Sequence, residues 1–169
     1  LCGGFFRINY GFSDRYLLEF NGRYDGSSKF PSHQQWGFFP SLSAGWRVTE
    51  EPWWTVDKSL MSNLKLRASY GSLGNGNVDP YAYLEIFKLQ AQDRVINGAV
   101  NTYTSAPAVQ PAGLTWERAT TTDIGIDFTM FNDRLLFSAD YYWRKTKDMY
   151  TVGKTLPQVF GADSPKGNY

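Results

Sequence analysis

The sequence predicts an all-β fold, an antiparallel up-and-down sheet of about six strands. Three observations predict it. Six stretches alternate between apolar and polar residues, the apolar positions carry no charge, and tight turns alternate with long loops between the stretches. Because successive side chains of a strand point to opposite faces, such stretches give a sheet with one apolar and one polar face.

The predicted strands cover residues 3–12, 16–25, 36–48, 64–73, 115–131 and 134–148. The apolar positions are Phe6, Ile8, Tyr10, Phe12; Tyr16, Leu18, Phe20, Gly22, Tyr24; Phe38, Pro40, Leu42, Ala44, Trp46, Val48; Leu64, Leu66, Ala68, Tyr70; Ile124, Ile126, Phe128, Met130; and Leu135, Phe137, Ala139, Tyr141, Trp143. Apolar residues interrupt the polar set at Leu17, Phe39, Leu136 and Tyr142. Pro40 lacks a backbone donor, so we expect a bulge or a break in pairing there.

The connections between the strands are of two kinds. Ser13–Arg15 and Asn132–Asp133 are predicted to be tight hairpin turns, because their residues tolerate turn dihedrals. The connections 26–35, 74–114 and 149 onward are long and rich in Gly, Pro, Ser and Asn. Strand direction places both tight turns at one end of the sheet and the long loops at the other. The 49–63 connection falls at the tight-turn end, where Glu50–Trp54 is predicted to form a short helical or irregular cap.

Composition excludes several classes of protein. A hydrophobic content of 42% and an aromatic content of 17% exclude a disordered chain. A net charge of +1 with both signs interspersed gives no basic patch for nucleic acid. No apolar run approaches the ~20 residues that a membrane helix needs. A transmembrane β-barrel stays open, because its signal is alternation.

The distribution of loops and aromatic residues favours an arc of a large transmembrane β-barrel. Outer-membrane barrels have short periplasmic turns and long external loops, and about eight strands are the fewest that close one. Aromatic residues near the strand ends are predicted to form two interfacial girdles. At the tight-turn end these are Tyr10, Phe12, Tyr16, Trp46, Trp53, Trp54 and Phe131, and at the other end Tyr24, Trp36, Phe38, Tyr70, Trp116, Trp143 and Tyr150.

Several segments resemble the SusC/RagA branch of the TonB-dependent outer-membrane transporters. They are Arg23–Pro31, Trp36–Ser41 with Gly45–Arg47, Asn63–Gly71 with Gly74–Asn75, Trp116–Glu117 with Thr121–Gly125, and Asn132–Leu135 through Asp140–Tyr142. Together they cover nearly the whole chain in the order found in the family.

The resemblance implies part of a roughly 22-stranded plugged barrel in the outer membrane of a Gram-negative bacterium of the Bacteroidetes. It implies a SusD-like lipoprotein lid, energy from TonB through the missing N-terminal region, and import of glycans or peptides. The chain lacks an initiator Met and a signal peptide and ends in the loop-like Gly167–Tyr169. Residues 1–169 are therefore expected to be a partial receptor barrel without its plug domain, N-terminus and C-terminal strands.

Two sets of residues are candidate sites. Charged residues of the polar face are predicted to line the lumen, most as ion pairs or hydrated lining and a minority near the outer rim in contact with cargo. These are Arg7, Glu19, Arg23, Lys65, Arg67, Asp123, Asp127, Asp140 and Arg144. Aromatic residues of the 74–114 loop are candidates for substrate binding, although packing within the loop is the commoner role for a single ring. These are Tyr81, Tyr83, Phe87 and Tyr103.

No residue is predicted to be catalytic, to bind a metal or to hold a cofactor. The adjacent Glu50 and Glu51 lack a nearby apolar pocket that would separate their pKa values. His33 and Cys2 have no companion ligands. Gly71–Gly76 lacks the Lys-Ser/Thr of a phosphate loop.

The predicted function is therefore that of a binding and translocation protein, not an enzyme. Two alternatives stay open: a carbohydrate-active β-sandwich enzyme and a passive porin or adhesin barrel. The sandwich needs a second sheet across the apolar face and a carboxylate pair in a cleft. The passive barrel differs by lacking a plug and a TonB-contacting segment.

Overall fold

A computed structural model describes residues 1–87, 89–96, 98–105, 113–153, 155–157, 159, 164 and 166–169. In these ranges the chain forms strands and a 3₁₀ turn at Val48–Glu50. None of the helical structure in these ranges is long and apolar enough to cross a membrane. The strands are β1 Cys2–Phe12, β2 Tyr16–Gly26, β3 Trp36–Arg47, β4 Met61–Asn75, β5 Leu89–Ile96, β6 Ala99–Thr104, β7 Glu117–Met130, β8 Leu135–Lys147, β9 Tyr150–Val152 and β10 Lys166–Asn168.

The main sheet has six strands in the order β1-β2-β3-β4-β7-β8, and all neighbours are antiparallel. This confirms the predicted all-β, up-and-down sheet. Two smaller ladders lie outside it, the β5–β6 hairpin and the β9–β10 pair. Both belong to the long connections, so the loops carry secondary structure of their own.

The β5–β6 hairpin within the 74–114 connection was not predicted. Its strands pair from Leu89 with Thr104 to Ile96 with Ala99. Gly98 follows β5 with a φ of 77°, a conformation that glycine adopts without strain. The Asn-Gly pair at sequence positions 97 and 98, between apolar residues, is a strong hairpin signal and would have located it.

The cross-strand register brings the apolar positions of all six strands onto one face. Leu18, for example, pairs with both Tyr10 and Ala44, and Ala44 pairs with Ala68. The alignment continues through Ile124 to Tyr141. A neighbouring polar row runs Asn9, Glu19, Ser43, Ser69 and Asp123. The predicted alternation therefore describes two continuous faces of the sheet, named here the apolar face and the polar face.

The tight turns and the long loops lie at opposite ends of the sheet, as predicted. Ser13 and Asp14 have φ of 50° and 55°, as both central residues of a type I′ turn require. The Arg15 amide closes this turn on the Phe12 carbonyl at 3.0 Å. The turn from β7 to β8 has positive φ at residues 131–133 and closes from Arg134 to Phe131 at 3.3 Å.

The connection from β3 to β4 contains the predicted short helical cap, shifted toward its start. The 3₁₀ turn covers Val48–Glu50, and the Glu51 amide donates to the Val48 carbonyl at 3.1 Å. At its other end the connection joins the β7–β8 turn, because the Phe131 amide donates to the Leu60 carbonyl at 3.0 Å. Backbone hydrogen bonds therefore hold this connection at the tight-turn end.

Pro40 marks the place where β3 leaves β4. Pairing between β2 and β3 is continuous through Gly22 and Pro40, but the last pair between β3 and β4 is Ser41 with Gly71. Both strands continue beyond it, to Trp36 and to Asn75. The predicted break in pairing is confirmed on the β4 side.

A buried apolar core fills the space beside this break, at the long-loop end. It consists of Phe30, Phe39, Val78, Leu114 and Trp116, with Tyr83 and Tyr150 packed against it. We name these five buried residues the loop-base core. The prediction that Trp116 belongs to an outer girdle is wrong, because its ring is buried in this core. Trp116 precedes the first residue of β7, so the strand alternation does not set the direction of its side chain.

Candidate functional site

The polar face brings together the charged residues that the sequence singled out. The register places all nine on this face. They are Arg7, Glu19, Arg23, Lys65, Arg67, Asp123, Asp127, Asp140 and Arg144. That they line a lumen remains a prediction.

Arg67 is the centre of the most connected group on the polar face. Its guanidinium donates to both Asp127 oxygens, from Nε to Oδ2 at 2.6 Å and from Nη2 to Oδ1 at 2.9 Å. The same Nη2 lies 2.9 Å from Asp140 Oδ1. Gly125, which pairs with Arg67 and Asp140 on its two sides, leaves room for this: a Cβ there would lie 3.0 Å from the Arg67 Cζ. The bidentate geometry fixes the Arg67 guanidinium on the polar face.

The three other arginines of this set also have nearby partners. Arg7 donates to the Asn21 amide oxygen at 2.7 Å and lies 3.8 Å from Glu19. Arg23 pairs with Asp25 at 3.0 Å, and Arg144 donates to the Thr121 hydroxyl at 3.1 Å. These contacts fit the expectation that most of the charged residues are structural lining.

Lys65 and Asp123 differ from the rest of the set. Within the described part of the chain neither side chain has a hydrogen-bond partner or an ion-pair partner within 4.0 Å, whereas Arg144, which also lacks an ion pair, donates to Thr121. Both line a shallow depression of about 490 Å³ that Glu19 and Arg67 border. Its floor includes the small residues Ser43 and Gly45. The depression therefore presents the charged groups of Lys65 and Asp123 to the space above the polar face.

The apolar face has no protein layer over it in the described ranges. Leu42, in the middle of β3, is 51% exposed, and Ile124 and Tyr141 are also exposed. Leaving a large apolar side chain in water forfeits about 1.5–3 kcal/mol. A row of such residues across six strands is an extensive unpartnered surface.

The loop-base core joins the long loops to one another. The Trp116 Nε1 donates to the Gln35 carbonyl at 3.2 Å, linking the start of β7 to the β2–β3 loop. The Asn168 amide donates to the carbonyls of Thr115 and Asp148, at 2.9 and 2.6 Å. Its oxygen accepts from the Thr115 amide at 2.9 Å. Hydrogen bonds therefore join the bases of the long loops at this end of the sheet.

The four predicted loop aromatics separate into two kinds. Tyr81 and Phe87 are 61% and 62% exposed, and Tyr103 on β6 is exposed and donates to the Gln90 side chain at 2.8 Å. Tyr83 instead packs against the loop-base core. Three rings are therefore available on the surface, whereas Tyr83 contributes to the base of the loops.

Glu51 is a structured residue that the sequence did not distinguish from Glu50. Glu51 is 9% exposed. Its Oε1 accepts a hydrogen bond from the Tyr16 hydroxyl at 2.6 Å and another from the Trp46 Nε1 at 2.9 Å. These hydrogen bonds, Tyr16 first, lower the pKa of the Glu51 carboxyl below its ordinary value. The expectation that no apolar surroundings lie near Glu51 is wrong, because the aromatic side chains of Tyr16 and Trp46 contact its carboxyl group. Tyr16 is distant from Glu51 in sequence, so the sequence pattern did not show this contact.

The other residues considered from sequence show no assembled site. In the described ranges no group of three or more His, Cys, Asp and Glu side chains is arranged to hold a metal ion. Cys2 is exposed at the start of β1. Gly71–Gly74 lie in the last part of β4, so they are strand residues and not a loop before a helix.

Residues 3–169 match the family model described as TonB dependent receptor-like, beta-barrel. The chain belongs to this family. It is 36% identical over 164 residues to TonB-dependent receptor P26 of Formosa agariphila, covering 97% of this chain and 16% of that receptor. It is 38% identical over 158 residues to TonB-dependent receptor SusC of Bacteroides thetaiotaomicron, covering 88% of this chain and 15% of SusC.

Solved structures superpose on nearly the whole of this chain. The chain superposes on the RagAB peptide importer in its closed-closed state with a TM-score of 0.81 at 27% identity, covering 98% of this chain and 18% of that one. For the open-open state the TM-score is 0.78 at 26% identity, with 98% and 17% covered. The resemblance to the SusC/RagA branch is confirmed. The chain spans less than a fifth of the length of these relatives.

Proposed function

We propose that this chain is an arc of the wall and outer vestibule of a TonB-dependent importer in the outer membrane of a Gram-negative bacterium. The observation that carries the proposal is the continuous apolar face across all six strands, uncharged from Ile124 to Met130 in β7 and from Leu135 to Trp143 in β8, with a charged face behind it. Such faces suit lipid on one side and an aqueous or plugged lumen on the other. Family membership supports this assignment.

The domain assignment is part of the proposal. Residues 1–169 are one portion of a receptor barrel, and a plug domain, a TonB-contacting N-terminal region and further strands belong to the full-length receptor. The short span relative to SusC and the P26 receptor supports this. A wall of this kind contributes containment and recognition, and we assign it no catalytic role.

The cargo that we propose is a large nutrient, either an oligosaccharide or a peptide. Exposed rings such as Tyr81, Phe87 and Tyr103 provide flat apolar surfaces that stack on sugars or on peptide side chains. The described loops stand on the loop-base core, and loops on a rigid scaffold commonly carry recognition. A SusD-like lipoprotein that covers this end is the proposed partner.

The two alternative functions lack a supporting observation. A β-sandwich enzyme needs a second sheet over the apolar face, whereas Leu42 and Ile124 are exposed there. A passive porin needs no energy from TonB, and this difference is measurable.

Uptake by cells carrying the full-length receptor tests the proposal. Labelled oligosaccharide and oligopeptide mixtures serve as probes, in strains with and without TonB. We expect TonB-dependent uptake of one class, reduced by the Tyr81→Ala/Phe87→Ala double variant. Val152→Ala, an exposed apolar change at the same end, is the matched control.

The outcomes separate the parts of the proposal. Uptake that continues unchanged without TonB would contradict an importer and support a passive barrel. TonB-dependent uptake with equal rates for the double variant and Val152→Ala would reject only the assignment of the two rings. Immunoblots of outer-membrane fractions check that all variants reach similar levels.

A further inference from the structure

Three cations continue the apolar face of β7 and β8 toward the long loops. On β8 the positions of this face that follow Trp143 are Lys145 and Lys147. On β7 the residues opposite them are Thr120, which pairs with Lys145, and Arg118, which pairs with Lys147. Because directly paired residues share a face, Arg118, Lys145 and Lys147 lie on the same side of the sheet. We name these three residues the cation cluster.

The charges of the cation cluster are not neutralised within the described part of the chain. All three side chains are exposed, and no described carboxylate lies within 4.0 Å of their charged atoms. Arg118 and Lys147 oppose each other directly, and like charges in that position repel. An anion from outside the described residues would offset this repulsion.

Arg118 is held by a contact that orients it without removing its charge. Its Cζ lies 5.7 Å from the centroid of the Phe39 ring, within the range of a cation–π contact. The Phe39 ring reaches this place because Gly74, which pairs with Arg118, has no side chain, and a Cβ there would clash with the ring. The loop-base core therefore positions one member of the cation cluster.

The order of residues along β7 and β8 matches the layers of a membrane from its middle outward. Toward the long loops, β8 passes from Phe137 through Trp143 to the two lysines of the cluster. In the same direction β7 passes from Ile124 through Thr120 to Arg118. Hydrocarbon, an interface rich in aromatic rings, and charged headgroups follow one another in the same order.

The register shows that the cation cluster lies beyond the apolar span of these two strands. The last apolar residue of this face on β8 is Trp143, whose register row contains Thr122, Tyr70, Leu42 and Phe20. On β2 the span continues past Phe20 to Tyr24. The end of the span therefore steps toward the tight turns from β2 to β8, as expected for strands tilted by about 35–45° in a membrane.

We propose that the cation cluster binds the phosphate headgroup of an anionic lipid in the outer leaflet. The proposal rests on the proposed function, because it needs the apolar face to contact lipid. A lipid whose acyl chains lie along Ile124 and Tyr141 brings its phosphate to the level of the cluster. Opposite charge and continuity with the apolar face favour this occupant over an acidic protein.

Quenching of a fluorescent label beside the cluster tests the site in the full-length receptor, reconstituted in lipid bilayers. A dansyl label is attached to Tyr141→Cys, next to the cluster, or to Phe20→Cys, on the same face but away from it, in a background without other cysteines. Phosphatidic acid and phosphatidylcholine, each with a nitroxide on an acyl chain, are the quenchers. We expect phosphatidic acid to be preferred at position 141 and neither lipid at position 20.

Charge removal then identifies the cations that bind the headgroup. Lys145→Gln should lower the preference at position 141 by about fivefold, the effect of one cation beside an anionic lipid surface. The Arg118→Gln/Lys145→Gln/Lys147→Gln variant should abolish it. Arg144→Gln is the matched control, because Arg144 is the neighbouring cation on the polar face and its removal should leave the preference unchanged. Unchanged quenching at position 20 shows that each variant is folded in the bilayer.

The outcomes separate this proposal from the proposed function. Absence of quenching by either lipid at positions 141 and 20 contradicts the lipid-facing wall and with it the proposed function. Equal quenching by the two lipids at position 141 overturns the headgroup site alone, as expected if acidic side chains of another segment or protein neutralise the cluster.

Two further results would also overturn the headgroup site. One is a preference that survives in the triple variant, which would remove the role given to the cations. The other is a preference that sodium phosphate abolishes and sodium chloride of equal ionic strength does not, which would assign the cluster to free phosphate. Equal, partial weakening by both salts supports a lipid headgroup.

Discussion

The two ends of the sheet are stabilised by different means. At the long-loop end, five buried apolar side chains form a core that joins loops distant in sequence. At the tight-turn end, short turns close through backbone hydrogen bonds, and Glu51 accepts from two aromatic side chains. Order at the long-loop end therefore depends on buried apolar contacts, whereas order at the tight-turn end depends on hydrogen bonds of the backbone and of one carboxylate.

Among the changes considered, removal of a buried ring from the loop-base core should have the largest effect on the difference between the two ends. Phe30 is 0% exposed and its ring lies 4.8 Å from that of Trp116. Phe30→Ala should lower the free energy of unfolding of the long-loop end by about 3–5 kcal/mol, because it deletes a fully buried ring. Hydrogen exchange of the full-length receptor, monitored by mass spectrometry, measures the loss of protection in residues 27–35 and 113–116.

Phe87→Ala is the matched control for that change, because its ring is exposed. We expect almost no change in protection for this variant. Protection lost equally at the tight-turn end in Phe30→Ala would show that the two ends are not stabilised separately.

Acid should weaken the tight-turn end through Glu51. The pKa of its carboxyl is held below the ordinary 4.5 by the hydrogen bonds from Tyr16 and Trp46. A carboxyl with a lowered folded-state pKa stabilises the fold above its unfolded pKa and loses that contribution as the pH falls through the folded value. Protection of residues 48–54 should therefore decrease as the pH falls below about 4.5, and this decrease should be smaller in Glu51→Gln.

Glu50→Gln provides the comparison for the acid experiment. The Glu50 carboxylate is exposed and pairs only with the exposed Lys58 among the described residues, so its removal should change the acid profile little. Identical profiles for Glu51→Gln and the unaltered receptor would contradict the role of Glu51 in this end of the sheet.

Local sequence patterns predicted the six-stranded sheet. Contacts between residues distant in sequence determine the loop-base core and the surroundings of Glu51. Alternation placed six strands and both tight turns, because strand direction and turn dihedrals are properties of neighbouring residues. The roles of Trp116 and Glu51 depend on Gln35 and Tyr16, far away in sequence. Phe39, which interrupted the polar set, belongs to the loop-base core. Alternation does not describe this contact, and interruption alone does not identify it, because Leu136 and Tyr142 interrupt the polar set and are exposed.

Paired arginine substitutions test most directly whether the apolar face of the sheet contacts lipid. Leu42 and Ser43 are adjacent in β3 and point to opposite faces. In the full-length receptor folded into bilayers, Leu42→Arg should lower the free energy of unfolding by about 2–4 kcal/mol, because it places a cation in lipid near the bilayer midplane. Ser43→Arg should have a much smaller effect. Equal losses for both variants, or a larger loss for Ser43→Arg, would contradict the lipid-facing assignment.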